Sequence, residues 1–412
     1  MRFIEPYILK DLEKKMVFIG GPRQVGKTTL ARGLLAHYKK HLNASGRYFS
    51  WDFDDDRRDL LKRKWSDTDQ LLVFDELHKF PRWKNWLKGI YDKEHEQHRF
   101  LVTGSARLDV YRRGGDSLLG RYHYWRLHPF TLFELPPKIS RHEAFRRLMT
   151  VGGFPEPFLD GDEVEARRWR RERYDRIIKD DVRDLESIRN IQMLSLLLDL
   201  LRSRVGGLVS FANLAGELQI SPITVKHWIE VLEKMYMVFV VRPYTKNLPR
   251  AVLKPPKVYF FDNADVIGEE GARFVNLVAT HLLKRLHFLE DKEGYRYELC
   301  YVRDKEGREV DFAIVKEGVV EELIEVKYSD AEPSRSLLYY AERLNPKRAV
   351  QIVANLKRPY SRGRLHVVNA VDALARLSKP FFACVCLYWV MRPPCIDLFS
   401  ILALAFQLIY KA

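Results

Sequence analysis

Hydrophobic positions in the first third of the chain come in short unbroken runs. "MVFIG", "RYFSWD", "LLVFDE" and "RFLVTGS" each gather apolar residues and end in polar ones. Stretches of helical period such as "KTTLARGLLAHYKK" lie between them. Continuous apolar runs suit strands covered on both faces, so the alternation predicts a parallel sheet packed between helices. "HPFTLFELPPK" closes this block with Pro136 and Pro137. From Arg141 to about Leu201 the period is helical. "EVEARRWRRERYDRIIKDDVRDLESIRN" predicts a long charged helix with its Arg face in solvent. Next, helices are expected over Phe211–Leu218 and Pro222–Lys234, about a turn at Gln219–Ser221. Apolar strands over Val238–Val241 and in "KVYFFD" follow, the order of a helix-turn-helix with a wing. From Gly271 to about Leu377, helices mix with hairpin strands.

With 412 residues the chain is too long for one ordinary core. The expected division is α/β: a parallel-sheet domain over 1–138, a helical linker over 139–200, a winged helix over 201–262, an α/β domain over 263–378, and an apolar tail over 379–412. Hydrophobic content of 46% and charged content of 30% describe a soluble globular protein, and the net charge of +15 suits a phosphate-backbone partner such as DNA. Cys300, Cys384, Cys386 and Cys395 make neither a zinc-type pair nor a disulfide framework, which points to a reducing compartment. The first residues lack the apolar core of an export signal, so a cytoplasmic location is expected. Arg392, Pro393 and Pro394 break the tail into pieces shorter than the roughly 20 residues of a spanning helix. It reads as a buried helix, a membrane-touching end or an out-of-frame extension; its abrupt change of composition favours the last.

"GGPRQVGKTT" satisfies the phosphate-loop pattern with Gly21, Gly26, Lys27 and Thr28, between a strand and a helix as the motif requires. Gly21, Pro22, Arg23, Gln24, Val25, Gly26, Lys27, Thr28 and Thr29 are the expected nucleotide-binding residues. Loop N–H groups and the helix dipole would face phosphate, Lys27 would neutralise β/γ oxygens, and the Thr28 hydroxyl would ligate Mg²⁺. In "LLVFDE" a buried strand carries Asp75 and Glu76 to its C-terminal end, where ligands of parallel sheets sit. Asp75 is expected to hold Mg²⁺ through water, and Glu76 to orient or deprotonate the attacking water. Thr103 and Ser105, ending "RFLVTGS", are candidates to sense the γ-phosphate, although Ser and Thr also cap helices. Arg121 is a candidate charge-neutralising arginine.

These motifs, with "WDFDDDR", "FDELHKFPRWKNWLKGIYD", "TGSARLDVYRRGGDSLLGRYHYWRLHPFTLFEL" and "GGFPEP", resemble an AAA-type ATPase family of archaea and bacteria. The C-terminal half of that family is a domain of unknown function similar to PD-(D/E)XK nucleases. The resemblance covers roughly Met1 to Leu377. It implies a P-loop AAA-like ATPase domain using ATP and Mg²⁺, a winged-helix middle, and a C-terminal α/β restriction-endonuclease-like domain. AAA-type cores often assemble, so a homo-oligomer is also expected.

The nuclease-like signature of the family falls on Asp311, Glu325 and Lys327. In "EVDFAIV" Val310, Phe312 and Ile314 share one face and Asp311 takes the other; in "LIEVK" Leu323, Glu325 and Lys327 share a face. A turn at Glu317 and Gly318 would bring Asp311 opposite Glu325, or one position away. Facing carboxylates repel unless a metal ion or a cation joins them. Both a metal site and an ion-paired cluster fit. The family pattern carries Glu where Val275 stands, so an acidic partner is missing, and Glu269 and Glu270 lie about one turn earlier.

Overall fold

A computed structural model describes residues 2–104, 118–178, 190–245, 254–329 and 332–377. Ser105 and the tail over 379–412 lie outside them. Among the described residues, no helix is long and apolar enough to cross a membrane.

The first block runs α1 (Glu5–Leu12), β1 (Met16–Gly20), α2 (Lys27–His41), β2 (Ser45–Ser50), α3 (Asp54–Leu61), β3 (Asp69–Asp75), α4 (Trp83–Glu94), β4 (Arg99–Thr103) and β5 (Tyr122–Arg126). Its five strands lie in the order β2-β3-β4-β1-β5, all parallel. Apolar side chains on both faces explain the unbroken runs: Val17, Ile19, Val73 and Leu101 enter one core, Phe18, Leu72, Phe74 and Phe100 the other. The register aligns the strand ends. Ile19 pairs with Thr103, Thr103 with Asp75, Asp75 with Ser50, and Gly20 with Arg126. Motif residues far apart in sequence therefore meet at one edge. Chain crossing is tight there: a Cβ on Gly20 would lie 1.6 Å from Tyr124 Oη, and one on Gly21 2.3 Å from the Leu127 carbonyl.

The middle block contains α5 (Arg141–Thr150), α6 (Pro155–Asp160), α7 (Glu163–Arg176), α8 (Ile191–Arg202), α9 (Phe211–Leu218), α10 (Pro222–Lys234), β6 (Val238–Pro243) and β7 (Lys257–Phe260). Helices α9 and α10 each begin on a serine cap: Ser210 Oγ accepts from Asn213 N–H, and Ser221 Oγ from Thr224 N–H. Gln219 takes φ 53° between them, giving the tight turn.

The last block comprises α11 (Glu270–Glu293), β8 (Tyr297–Arg303), β9 (Glu309–Lys316), β10 (Val319–Lys327), α12 (Arg335–Leu344), β11 (Arg348–Val353), β12 (Tyr360–Arg362), β13 (Leu365–Asn369) and α13 (Ala370–Ala375). Its sheet does not stop at the expected boundary of 262 and 263. Arg242 of β6 pairs with Cys300 of β8, so the β6–β7 hairpin extends an eight-stranded sheet, β12-β13-β11-β10-β9-β8-β6-β7. The hydrophobic pattern showed the strands but not this partner, because β6 and β8 are far apart in sequence.

Helix α11 ties the blocks together. Phe274, Leu277, Val278 and Leu282 enter the shared core of the middle and last blocks. Farther along, Phe288 packs on Phe3, Tyr7 and Trp125 of the first block. Asp291 pairs with Arg126, and His287 Nδ1 lies 2.9 Å from His128 Nε2. His281 sits fully buried at this junction. Its Nε2 accepts from Leu132 N–H at 2.9 Å and its Nδ1–H donates to the Leu277 carbonyl at 2.8 Å. Both bonds require the neutral ring, and burial pushes its pKa down to about 3.

A histidine that is neutral when folded but titrates normally when unfolded destabilises the fold as protons are added. The unfolded chain takes up the proton below about pH 6.5 while the folded chain does not, costing about 1.4 kcal/mol per pH unit for this residue. Thermal unfolding should therefore show stability falling from pH 6.5 to 5. His281→Gln, which keeps a hydrogen-bond acceptor, should fall less steeply over that window.

Candidate functional site

The loop Gly21–Gly26 turns from β1 into α2 through positive φ at Gly21 (140°), Gln24 (61°) and Gly26 (96°). No side chain caps the N-terminus of α2, so its first N–H groups stay available to an anion. Lys27 is buried and arches back over the loop, with Nζ 3.1 Å from the Gly21 carbonyl and 2.7 Å from that of Pro22. Val25 anchors the loop in the core, while Gln24, Thr28 and Thr29 are exposed and Arg23 is half-buried. Pro155, from "GGFPEP", lies against the loop, 3.8 Å from where a Cβ on Gly26 would stand.

Asp75 is the hub of the site. Its Oδ2 accepts from Thr28 Oγ1 at 2.7 Å and from Tyr48 Oη at 2.5 Å, and its Oδ1 accepts from Thr103 Oγ1. Three hydroxyls, from α2, β2 and β4, thus fix one buried carboxylate. Strand β4 lies between β1 and β3, which is why Thr103 reaches both motif strands. The adjacent Thr28 hydroxyl and Asp75 carboxylate are hard oxygen donors suited to Mg²⁺, whose remaining positions phosphate and water commonly fill. Glu76 holds the left-handed conformation at φ 57°, with its N–H donating to the Thr103 carbonyl at 2.9 Å. Such strain in a non-glycine residue clusters at functional sites. Burial raises the Glu76 pKa, countered by Lys27 and Lys79. Lys79 Nζ stands 3.4 Å and His78 Nε2 3.7 Å from its carboxylate.

Tyr48 did not emerge from the motifs. Only its place on β2, beside the end of β3, marks it. Burial and the Asp75 carboxylate raise its pKa, so the hydroxyl keeps its proton and donates it. Arg121 stands apart from the other candidates. It precedes β5, one strand length of about 16 Å from the loop end of the sheet. There it pairs with Asp92, at 2.6 and 3.1 Å. It does not reach the loop of its own chain. Ser105 falls outside the described residues.

The second group lies on the β9–β10 hairpin. Glu317 and Gly318, at φ 48° and 80°, form its turn. Phe312 pairs with Ile324, so the next position sets Asp311 against Glu325. Asp311 Oδ2 accepts from Val326 N–H at 3.0 Å, and Lys327 Nζ contacts Glu325 Oε1 at 2.9 Å. Burial, then Asp311, pushes Glu325 up to about 7, and burial also raises Asp311. Glu325 Oε2 is buried without a hydrogen-bond partner.

No local pattern marks Lys257, which begins β7. Its side chain is buried, with Nζ 2.5 Å from Glu309 Oε1 and 3.7 Å from Asp311 Oδ1. A fixed ammonium thus stands beside the carboxylates. Val275 packs half-buried against the core, and Glu270 interacts with Tyr328, just past Lys327. Among the described residues, no three His, Cys, Asp or Glu side chains gather as a metal cluster.

Three family models match the chain in succession. Residues 13–135 match an AAA domain, 142–264 a domain of unknown function, and 270–373 a second domain of unknown function. An uncharacterized protein of Mycobacterium tuberculosis is 25% identical over 251 residues, 60% of this chain and 54% of its own. The chain thus spans about half the length of that relative. An uncharacterized protein of Methanocaldococcus jannaschii is 25% identical over 360 residues, 79% of this chain and 78% of its own. A crystal structure described as a DNA replication initiation factor is 17% identical, covers 56% of this chain and 86% of its own, and has a TM-score of 0.25. The family match and the strand-to-helix loop agree: residues 13–135 are similar to an AAA domain and carry a phosphate-loop pattern between β1 and α2, and residues 270–373 are similar to a domain of unknown function.

Proposed function

We propose that the protein is a Mg²⁺-dependent ATPase that couples its nucleotide state to contact with DNA. The observation that carries this reading is the fixed Asp75 carboxylate, beside Thr28 of the phosphate loop and next in sequence to the strained, half-buried Glu76. Bound ATP and Mg²⁺ would supply the reactive phosphoanhydride and neutralise its charge. Loop N–H groups and Lys27 would hold the phosphates, and Thr28 and Asp75 would hold the metal ion. Thr103 keeps Asp75 in place. Glu76 orients the attacking water and accepts its proton, a task helped by the raised basicity that burial gives it. Arg121, distant from its own loop, would serve only a neighbouring copy, which makes a homo-oligomer part of the reading.

DNA contact is assigned to α10, read as the recognition helix of a winged helix. Ser221, Ile223, Lys226 and His227 are exposed on it, whereas Val225, Trp228, Ile229 and Leu232 are buried. The exposed face offers phosphate contacts more than base readout. The chain's charge of +15 supports a polyanionic partner.

A second reading is a slow nucleotide-dependent switch whose nuclease-like domain docks rather than cuts. Lys257 favours it, since an internal ammonium already balances Glu309 and Asp311, and so does Val275, which replaces an acidic side chain by packing.

Steady-state phosphate release separates the two. Wild type should release phosphate, and Glu76→Gln should lose about 100-fold or more in kcat while still binding ATP. Tight ATP binding without wild-type turnover would sink the ATPase reading. In DNA-binding titrations against salt, Lys226→Ala should weaken binding to all sequences alike and reduce the slope by about 1; an unchanged slope would remove α10 from the interface. Lys257→Met should destabilise the last block by about 3 kcal/mol in urea unfolding, because it removes a buried ammonium and leaves the half-buried Glu309 and Asp311 without it. A neutral result would show that the ammonium is not what balances them.

A further inference from the structure

Arg2, outside every motif, reaches the phosphate loop. Its Nη1 donates to the Val25 carbonyl at 3.3 Å, its Nη2 to the His128 carbonyl, and its Nε to Glu134 Oε1 at 3.0 Å. The guanidinium stacks over Phe130, 4.6 Å from the ring centre, and Nη1 lies 3.9 Å from where a Cβ on Gly26 would stand. The peptide unit joining Val25 to Gly26 is planar and trans, so its carbonyl and its N–H point in opposite directions. With that carbonyl held by Arg2, the Gly26 N–H lies on the opposite side of the same peptide, free of the Arg2 side and in the loop where the nucleotide reading puts phosphate.

Glu134 carries the connection onward. It is buried, and its Oε1 also accepts from Phe3 N–H at 2.6 Å. Its Oε2 accepts from Lys284 Nζ on α11, which donates as well to the Pro129 carbonyl at 2.9 Å. Val25 of the loop, Arg2, Glu134 and Lys284 therefore form one continuous chain of hydrogen bonds, from the phosphate loop to the helix that anchors the last block.

We propose that Arg2 is a positioning residue for the Gly26 amide, and that Glu134 links it to Lys284 so that phosphate binding and the seating of α11 depend on each other. The inference rests on the nucleotide reading of the loop. A ligand that favours the held loop then favours seated α11, and seated α11 favours the ligand by the same factor.

The test measures binding of a fluorescent ATP analogue with Mg²⁺, and ATP-dependent phosphate release, on the full chain. The variants are Arg2→Met, Arg2→Lys, Lys284→Met, the Arg2→Met/Lys284→Met pair, and Lys27→Met as control for the site itself. Losing a charge-assisted hydrogen bond to the loop should make Arg2→Met bind about tenfold more weakly, and raise KM with kcat nearly unchanged. Arg2→Lys keeps the charge but cannot span Val25, His128 and Glu134 together, so its affinity should fall between the two. Lys284→Met should weaken binding about threefold in the wild-type background and not at all beside Arg2→Met. Wild-type affinity in Arg2→Met, or an equal effect of Lys284→Met in both backgrounds, overturns the relay. Should Arg2→Met not fold, Arg2→Lys decides, and wild-type affinity there overturns it as well. Lys27→Met binding ATP as wild type does would instead overturn the nucleotide site, and the relay with it, so the two failures are distinguishable.

Discussion

The first block depends on a buried carboxylate that must not be left without partners. Asp75 ends a strand with apolar neighbours on both sides, where an unsatisfied charge would cost several kcal/mol. Its hydroxyl donors come from three separate elements, Thr28, Tyr48 and Thr103. Satisfying them together fixes how α2, β2 and β4 sit relative to β3. The same bonds that make the fold tolerable hold the loop helix beside the Asp75–Glu76 pair. Structural and chemical demands coincide at one side chain, which leaves little freedom to alter either alone.

Much of the first block was legible because its signals are local. A buried strand, a glycine-rich turn and a helix start are contiguous in "MVFIGGPRQVGKTT", and the carboxylate pair ends its own apolar run. The paired helices around Gln219 were legible for the same reason, since cap and turn chemistry lie within a few residues. What stayed hidden depends on long-range register. Tyr48 matters because β2 aligns with β3, Arg2 because the N-terminal segment folds across the loop, and Arg121 stands away from its own loop because β5 runs parallel to β1. No local pattern carries those facts.

The hairpin of the last block shows the same division. The alternation of "EVDFAIV" and "LIEVK" places Asp311 and Glu325 on a common face, and the observed register sets them opposite each other. Lys257 arrives from β7, more than fifty residues earlier in the chain, through a sheet that the sequence did not reveal. It changes the electrostatics of the pair from a bare repulsion, which calls for an external cation, to a network with an ammonium of its own.

The pairing of β6 with β8 has a consequence for inheritance. The two domains of unknown function meet between residues 264 and 270, a seam at which recombination could in principle exchange one half for another. Yet the ladder crosses that seam: Arg242 and Pro243 pair with Cys300 and Tyr301, and Tyr244 N–H donates to the Tyr301 carbonyl at 2.7 Å. A foreign neighbour would leave the edge of β8 open, with unpaired backbone groups ready to capture another chain. The two segments therefore complete one sheet between them, and neither leaves β8 covered without the other.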